Sequence, residues 1–94
     1  MRDHTKLKAF QLADNLAVRV YRATVAFPRY EQLGLATQMR KAALSVPSNI
    51  VEGCARHTES EYLRFLDIPY GSACELQYPI SLAHRLRYLK KPPP

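Results

Sequence analysis

The apolar positions of this chain fall into three runs with the period of a helix. In the first, Phe10, Ala13, Ala17, Val20, Thr24 and Phe27 recur at spacings of three and four, which puts them on one helix face. Lys8, Gln11, Asn15, Arg19 and Arg22 gather on the opposite face, since each residue turns the helix by about 100°. Pro28 should end the run, because the residue before a proline avoids the α region. A helix over residues 5–27 is predicted.

The second run, Leu35, Met39, Ala42, Val46 and Ile50, predicts a helix over 31–53. Gly53 is the expected stop, since glycine accepts the left-handed conformation that closes many helices. A polar stripe of Gln38, Lys41, Ser45, Ser48, Asn49 and Glu52 runs beside it. Pro47 removes one i→i−4 hydrogen bond, so the helix should bend there. The carbonyls freed near Ala43 can be satisfied by water or by side-chain hydroxyls such as those of Ser45 or Ser48.

The third run opens with "TESE". Thr58 can cap the helix while Glu61 reaches back to the cap amide. Tyr62, Leu66, Ala73, Leu76, Ile80 and Ala83 follow on one face, predicting a helix over 58–89. Pro69 and Pro79 interrupt it, each costing about 3 kcal/mol in a regular helix. The segment "DIPYG", Asp67 to Gly71, also reads as a turn; a kinked helix is the expectation. The tail "KKPPP" over 90–94 is polyproline-like and expected to fray. Glycine is rare and no alternating β-branched run appears, so the fold class is all-α.

At 94 residues and 47% hydrophobic content, the chain fits one small domain, 1–94, that buries roughly 60% of its unfolded surface. No apolar run approaches the roughly 18 residues of a membrane span, and no signal-peptide core follows Met1. Both point to a cytoplasmic location and no membrane partner. Cys54 and Cys74 are too few for a disulfide framework and are expected to be reduced thiols. The net charge is +6, and its excess lies in residues 1–30, which hold six Lys/Arg against two Asp. A basic first third favours contact with an anionic partner, nucleic acid before membrane.

The stretch "LSVPSNIVEG", Leu44 to Gly53, crowds polar groups round a proline and invites a catalytic reading. A serine nucleophile needs a base in reach and a third orienting group. Ser45 and Ser48 have no histidine on their local face, and "GxSxG" is absent. A phosphate cradle needs several glycines before a helix, and Gly53 stands alone. Cys54 and His57 have C-x-x-H spacing, but a structural zinc wants four paired ligands. No cofactor or metal is expected, and the protein is not expected to be an enzyme. A bent helix with a neutral polar seam beside its apolar stripe remains, and such a seam fits a hydrogen-bonded interface.

Residues 21–66, "YRATVAFPRYEQLGLATQMRKAALSVPSNIVEGCARHTESEYLRFL", resemble the four-helix-bundle protein family whose founding members are encoded in intervening sequences of 23S ribosomal RNA. Accessory proteins of diversity-generating retroelements are among its relatives. The resemblance rests on Phe27-Pro28, Glu31, Gly34-Leu35, Gln38, Arg40-Lys41-Ala42-Ala43, Ser45 to Ile50 and Glu52-Gly53. It continues through Arg56, Glu61, Phe65-Leu66, Gly71-Ser72 and Glu75-Leu76, and covers residues 7–89. It implies an up-and-down antiparallel bundle of the four-helix type, with no known catalytic activity and with Pro47 inside the long second helix. It also implies a ring-like homo-oligomer, a pentamer. In the retroelement branch that ring binds nucleic acid and a reverse transcriptase through basic surface. Pro69, Pro79 and Arg87 depart from the pattern, Arg87 standing where the family has glycine. The fourth helix should follow Leu89, where only "KKPPP" remains, so it is expected to be missing or truncated. One apolar groove would then lack its cover, and a neighbouring chain could fill it.

Two functions follow. The first is a non-catalytic oligomeric scaffold that contacts the RNA or DNA backbone through Lys8, Arg19, Arg22, Arg40, Lys41 and Arg56. Phosphate contacts need only clustered cations and imply no sequence specificity. The second is a protein–protein adaptor, such as an accessory subunit for a reverse transcriptase, that docks its partner on Gln38, Ser45, Ser48, Asn49 and Glu52. That seam could equally be the subunit interface.

Overall fold

The computed structural model describes residues 2–89; the tail predicted to fray over 90–94 lies outside them. The chain forms three α-helices, α1 (Lys8–Val25), α2 (Leu35–Cys54) and α3 (Glu59–Arg85), with short 3-10 turns at His4–Lys6 and Arg29–Glu31. No strand occurs among the described residues, so the fold is all-α.

Local chemistry sets where each helix begins and ends. Asp3 caps the first 3-10 turn, accepting from the Thr5 amide at 3.0 Å and the Thr5 hydroxyl at 2.6 Å. The Thr5 hydroxyl bond first, and then the amide, hold the Asp3 carboxyl below its ordinary range. Leu7 is extended, so α1 starts at Lys8 rather than at residue 5. Its far end is closed from the next turn. The Gln32 side-chain amide donates to the carbonyls of Thr24 and Phe27, both at 3.0 Å, tying the last turn of α1 to the segment that follows it. The Thr24 carbonyl also accepts from the Phe27 amide at 3.1 Å. At the start of α2, Gly34 has no side chain to cap with, and Glu31 does the work from three residues back. Its Oε1 accepts from the Leu35 amide at 3.3 Å. A Cβ on Gly34 would stand 2.9 Å from that same oxygen, so glycine leaves the capping carboxylate its place.

Gly53 does not end α2 as expected. The helix runs through it to Cys54, and no glycine among the described residues has positive φ. A Cβ at Gly53 would lie 2.9 Å from the Phe65 Cβ. This glycine lets α2 and α3 approach closely; it is a packing residue rather than a turn residue. Pro47 is buried inside α2. The Ser45 hydroxyl does not turn to the Ala43 carbonyl; it accepts instead from Asn49 Nδ2 at 3.0 Å and from the Ser72 hydroxyl at 2.8 Å.

Thr58 caps α3, its hydroxyl accepting from the Glu61 amide at 3.1 Å. The return bond from the Glu61 carboxylate is not formed among the described residues. Helix α3 continues through Pro69 and Pro79, so "DIPYG" is helix and not turn. The helix stops at Arg85, four residues before the predicted end, because the chain reverses there. Arg87 has φ 64°, its amide bonds the His84 carbonyl at 3.0 Å, and the Tyr88 amide bonds the Ala83 carbonyl at 2.8 Å. These two bonds round a left-handed residue are the Schellman arrangement. The position suits glycine, because a left-handed L-residue crowds its Cβ against the carbonyl. Arg87→Gly should therefore stabilise the fold by about 0.5–1 kcal/mol, read as a higher urea midpoint with an unchanged slope. A lower midpoint would mean that the arginine side chain contributes more than its backbone strain costs.

Helix α2 is the middle element. Both α1 and α3 pack against it, while no Cα of α1 lies within 8 Å of one in α3. The result is a flattened three-helix layer, 44 × 26 × 17 Å. Val20, Phe27, Ala36, Met39, Ala43, Leu76 and Ala83 form the core at one end, with Leu16, Ile80, Tyr88 and Leu89 packed against them. Ala13, Val46, Ile50 and Cys54 form the core at the other, with Leu7, Phe10, Tyr62 and Ala73. The end of α1 thus meets the start of α2 and the end of α3, the alternating course of an up-and-down bundle.

Candidate functional site

The fold redistributes charge in a way the linear sequence hides. Around the Met39 core, α1 and the turn after it bring Arg19, Arg22 and Arg29, α2 brings Arg40 and Lys41, and the end of α3 brings Arg85 and Arg87. Among the described residues, Glu31 and Glu75 oppose them at that end. At the other end, Arg2, Lys6, Lys8, Arg56 and Arg64 meet Asp3, Asp14, Glu52, Glu59, Glu61 and Asp67, and charge is near balance. The ion pairs among the described residues are both at this balanced end, Arg2–Glu59 and Arg56–Glu52, each at 2.6 Å. Among the described residues the basic end has none. What reads as a basic first third of the chain is, in space, one basic end of the bundle.

The six cations singled out for nucleic acid are therefore not one patch. Arg19 and Arg22 are exposed, one turn apart on α1. Arg22 shares a recess with Arg40, Tyr21 and Val25. Lys41 lies in a different depression, a cleft of about 720 Å³ between α2 and α3. Lys8 is exposed near the balanced end, about 16 Å along α1 from Arg19 at 1.5 Å per residue. Arg56 is half-buried over the Phe65 ring, 4.1 Å from its centroid, with Nη2 on Glu52.

The residues of the polar seam also part company. Gln38 and Ser45 line the α2–α3 cleft beside Lys41, Ser72, Glu75 and Tyr78. Asn49 is turned inward along its own helix, its amide on the Ser45 carbonyl at 2.8 Å. The Ser45–Ser72 hydroxyl bond then joins α2 to α3, so part of this seam is used within the chain. Ser48 is exposed, and Glu52 is held by Arg56.

Between α1 and α3 lies a groove of about 680 Å³ whose floor is Met39. Leu16, Val20, Ala23 and Ala26 form its α1 wall and Ile80 its α3 wall, with Arg19, Arg22 and His84 at the rim. Tyr88 and Leu89 line the groove where the chain folds back after α3. The Tyr88 hydroxyl donates to Glu31 at 3.2 Å and lies 3.3 Å from that of Tyr30, and its ring packs on Phe27. The Tyr30 hydrogen bond first, and then desolvation, push the Tyr88 phenol above its ordinary range. It stays protonated and keeps its donor for Glu31.

One network at the basic end has no counterpart in the sequence reading. Thr24 Oγ1 donates to the Val20 and Tyr21 carbonyls and accepts from Arg40 Nε at 2.8 Å. Arg40 Nη2 donates to Gln32 Oε1 at 2.9 Å, and Gln32 in turn closes α1. Arg40 is thereby fixed in place at the end of α1, where the helix carries partial negative charge. Tyr21 beside it was recoverable: with Val25, four residues on, it is a large side chain outside the apolar stripe.

No group of three or more His, Cys, Asp or Glu side chains able to hold a metal occurs among the described residues. No helix among them is long and apolar enough to cross a membrane. A family model described as 23S rRNA-intervening sequence protein matches residues 5–92. No curated protein matches the chain.

Proposed function

We propose, because this chain belongs to the 23S rRNA-intervening sequence protein family, that it is a non-catalytic scaffold binding the phosphate backbone of RNA or DNA. The observation that carries the reading is the basic end, where Arg19, Arg22 and Arg29 stand exposed with no carboxylate bound to them among the described residues. Unpaired cations crowded on one surface raise the local potential and draw in a polyanion. Bound phosphates release the counterions they had condensed, so affinity should fall steeply with salt. Fluorescence anisotropy of a labelled RNA, titrated at several salt concentrations, tests this. A salt-independent affinity, or no binding at low salt, overturns it. The protein acts in the cytoplasm.

The scaffold is oligomeric, and the groove between α1 and α3 supports this. Its apolar walls gain free energy when covered, about 25 cal/mol for each Å² removed from water. A pentameric ring, as the family resemblance implies, is the expected assembly, and sedimentation equilibrium tests it. The same groove favours a second reading, an adaptor that docks a partner such as a reverse transcriptase. An adaptor would keep its protein partner after nuclease treatment and would not shift nucleic acid in a gel.

A further inference from the structure

Phosphate binding alone does not account for the recess beside Arg40. Tyr21, Arg22 and Val25 of α1 and Arg40 of α2 line a shallow, open recess of about 300 Å³, room for one nucleobase lying on its surface. Tyr21 is 42% exposed and Val25 75%, so an aromatic and an aliphatic side chain face solvent between two guanidinium groups. Water is a poor solvent for both, and their neighbours are cations rather than the mixed charges of an ordinary surface. The Arg40 guanidinium is held in advance by Thr24 and Gln32 through Nε and Nη2. No hydrogen bond among the described residues engages its Nη1. An arginine fixed in this way gives up little freedom when it takes a phosphate oxygen.

We propose that this recess is a stacking site for one unpaired nucleotide. It rests on the nucleic-acid reading above and narrows it to single-stranded substrate. The base lies on the Tyr21 ring with Val25 at its edge, and the flanking phosphates sit on Arg22 and Arg40. Duplex cannot use the site, because its bases are already stacked on one another and present only their edges in the grooves. Every base has a π-face, so the site tolerates any sequence.

The test compares wild type, Tyr21→Ala and Tyr21→Phe by anisotropy against three labelled RNAs: a short single strand, the same length made abasic, and a blunt duplex. Tyr21→Ala should weaken binding to the single strand roughly five- to 150-fold, the usual range for losing one base–aromatic stack. Tyr21→Phe should keep wild-type affinity, and the abasic strand and duplex should bind both variants as they bind wild type. Tyr21 is half out of the core, and an unchanged helical circular dichroism spectrum shows that the alanine variant folds. An equal loss on all three RNAs, or none on the single strand, removes the stacking site and leaves the phosphate reading standing. Failure of all three RNAs to bind wild type at low salt removes both.

Discussion

Leu76→Ala should lower the unfolding free energy by about 2–5 kcal/mol. Leu76 is 2% exposed and sits in the core cluster with Val20, Met39, Ala43 and Ala83, drawn from all three helices. Removing it loses the transfer free energy of its side chain and leaves a cavity, since α2 lies wedged between α1 and α3 and has little room to collapse. A chain of this length has a total stability of about 5–14 kcal/mol, so the variant would be near the edge of folding at room temperature. Ile80→Ala is the informative partner. Ile80 is half-buried and lines the open groove, so in an isolated chain its loss should cost about 1 kcal/mol, scaled from burial. Urea unfolding of both variants at several protein concentrations separates the cases. If another chain covers the groove, Ile80→Ala approaches the cost of Leu76→Ala and the midpoint depends on concentration. If Leu76→Ala itself costs under about 1 kcal/mol, Leu76 does not pack between Val20, Met39, Ala43 and Ala83.

The helices were legible in the sequence because their apolar stripes are regular. Phe10, Ala13, Ala17, Val20, Thr24 and Phe27 are all buried or half-buried, and the face opposite, from Lys8 to Arg22, is exposed. Helix ends were less legible, because partners distant in sequence decide them. Gln32 closes α1 from seven residues past its last turn, and Glu31 caps α2 in place of the residue beside it. Gly53 shows the limit most clearly. Sequence offers two uses for a glycine near a helix end, a left-handed stop or a close contact, and only the position of Phe65 on α3 chooses between them. Arg87 shows the reverse. Its departure from the family's glycine was visible in sequence, and the left-handed conformation at that position explains the preference. The charge pattern needed the fold altogether. Lys8 and Arg22 belong to one helix face, but the start of α3 brings Glu59 and Glu61 to the end of the bundle that holds Lys8. The end of α3 and the turn after it bring Arg85 and Arg87 to the end that holds Arg22.

That distinction sets the largest expected effect on binding. Arg19→Glu combined with Arg22→Glu should reduce affinity for RNA roughly fiftyfold or more near 0.1 M salt, and lower the slope of log K against log salt by about 2. Each phosphate contact contributes a slope of about 0.9, so at that salt one contact is worth nearly tenfold, and reversing the charge adds repulsion to the loss. Both single strand and duplex should lose affinity, since phosphate contacts carry no information about the bases. The single strand should lose more, because its stacked nucleotide also sets a phosphate on Arg22. Neither residue is buried or hydrogen-bonded to the core, so thermal stability should hold or rise as the crowded positive charge is relieved. Lys8→Glu decides what kind of surface is at work. Under a basic first third it would cost about as much as one member of the pair. Under a basic end it should cost little, because Lys8 lies about three turns away along α1, at the end of the bundle where the ion pairs Arg2–Glu59 and Arg56–Glu52 sit. Equal losses from Lys8 and from Arg19 would mean that the polyanion tracks the length of α1 rather than gathering at one end of the bundle.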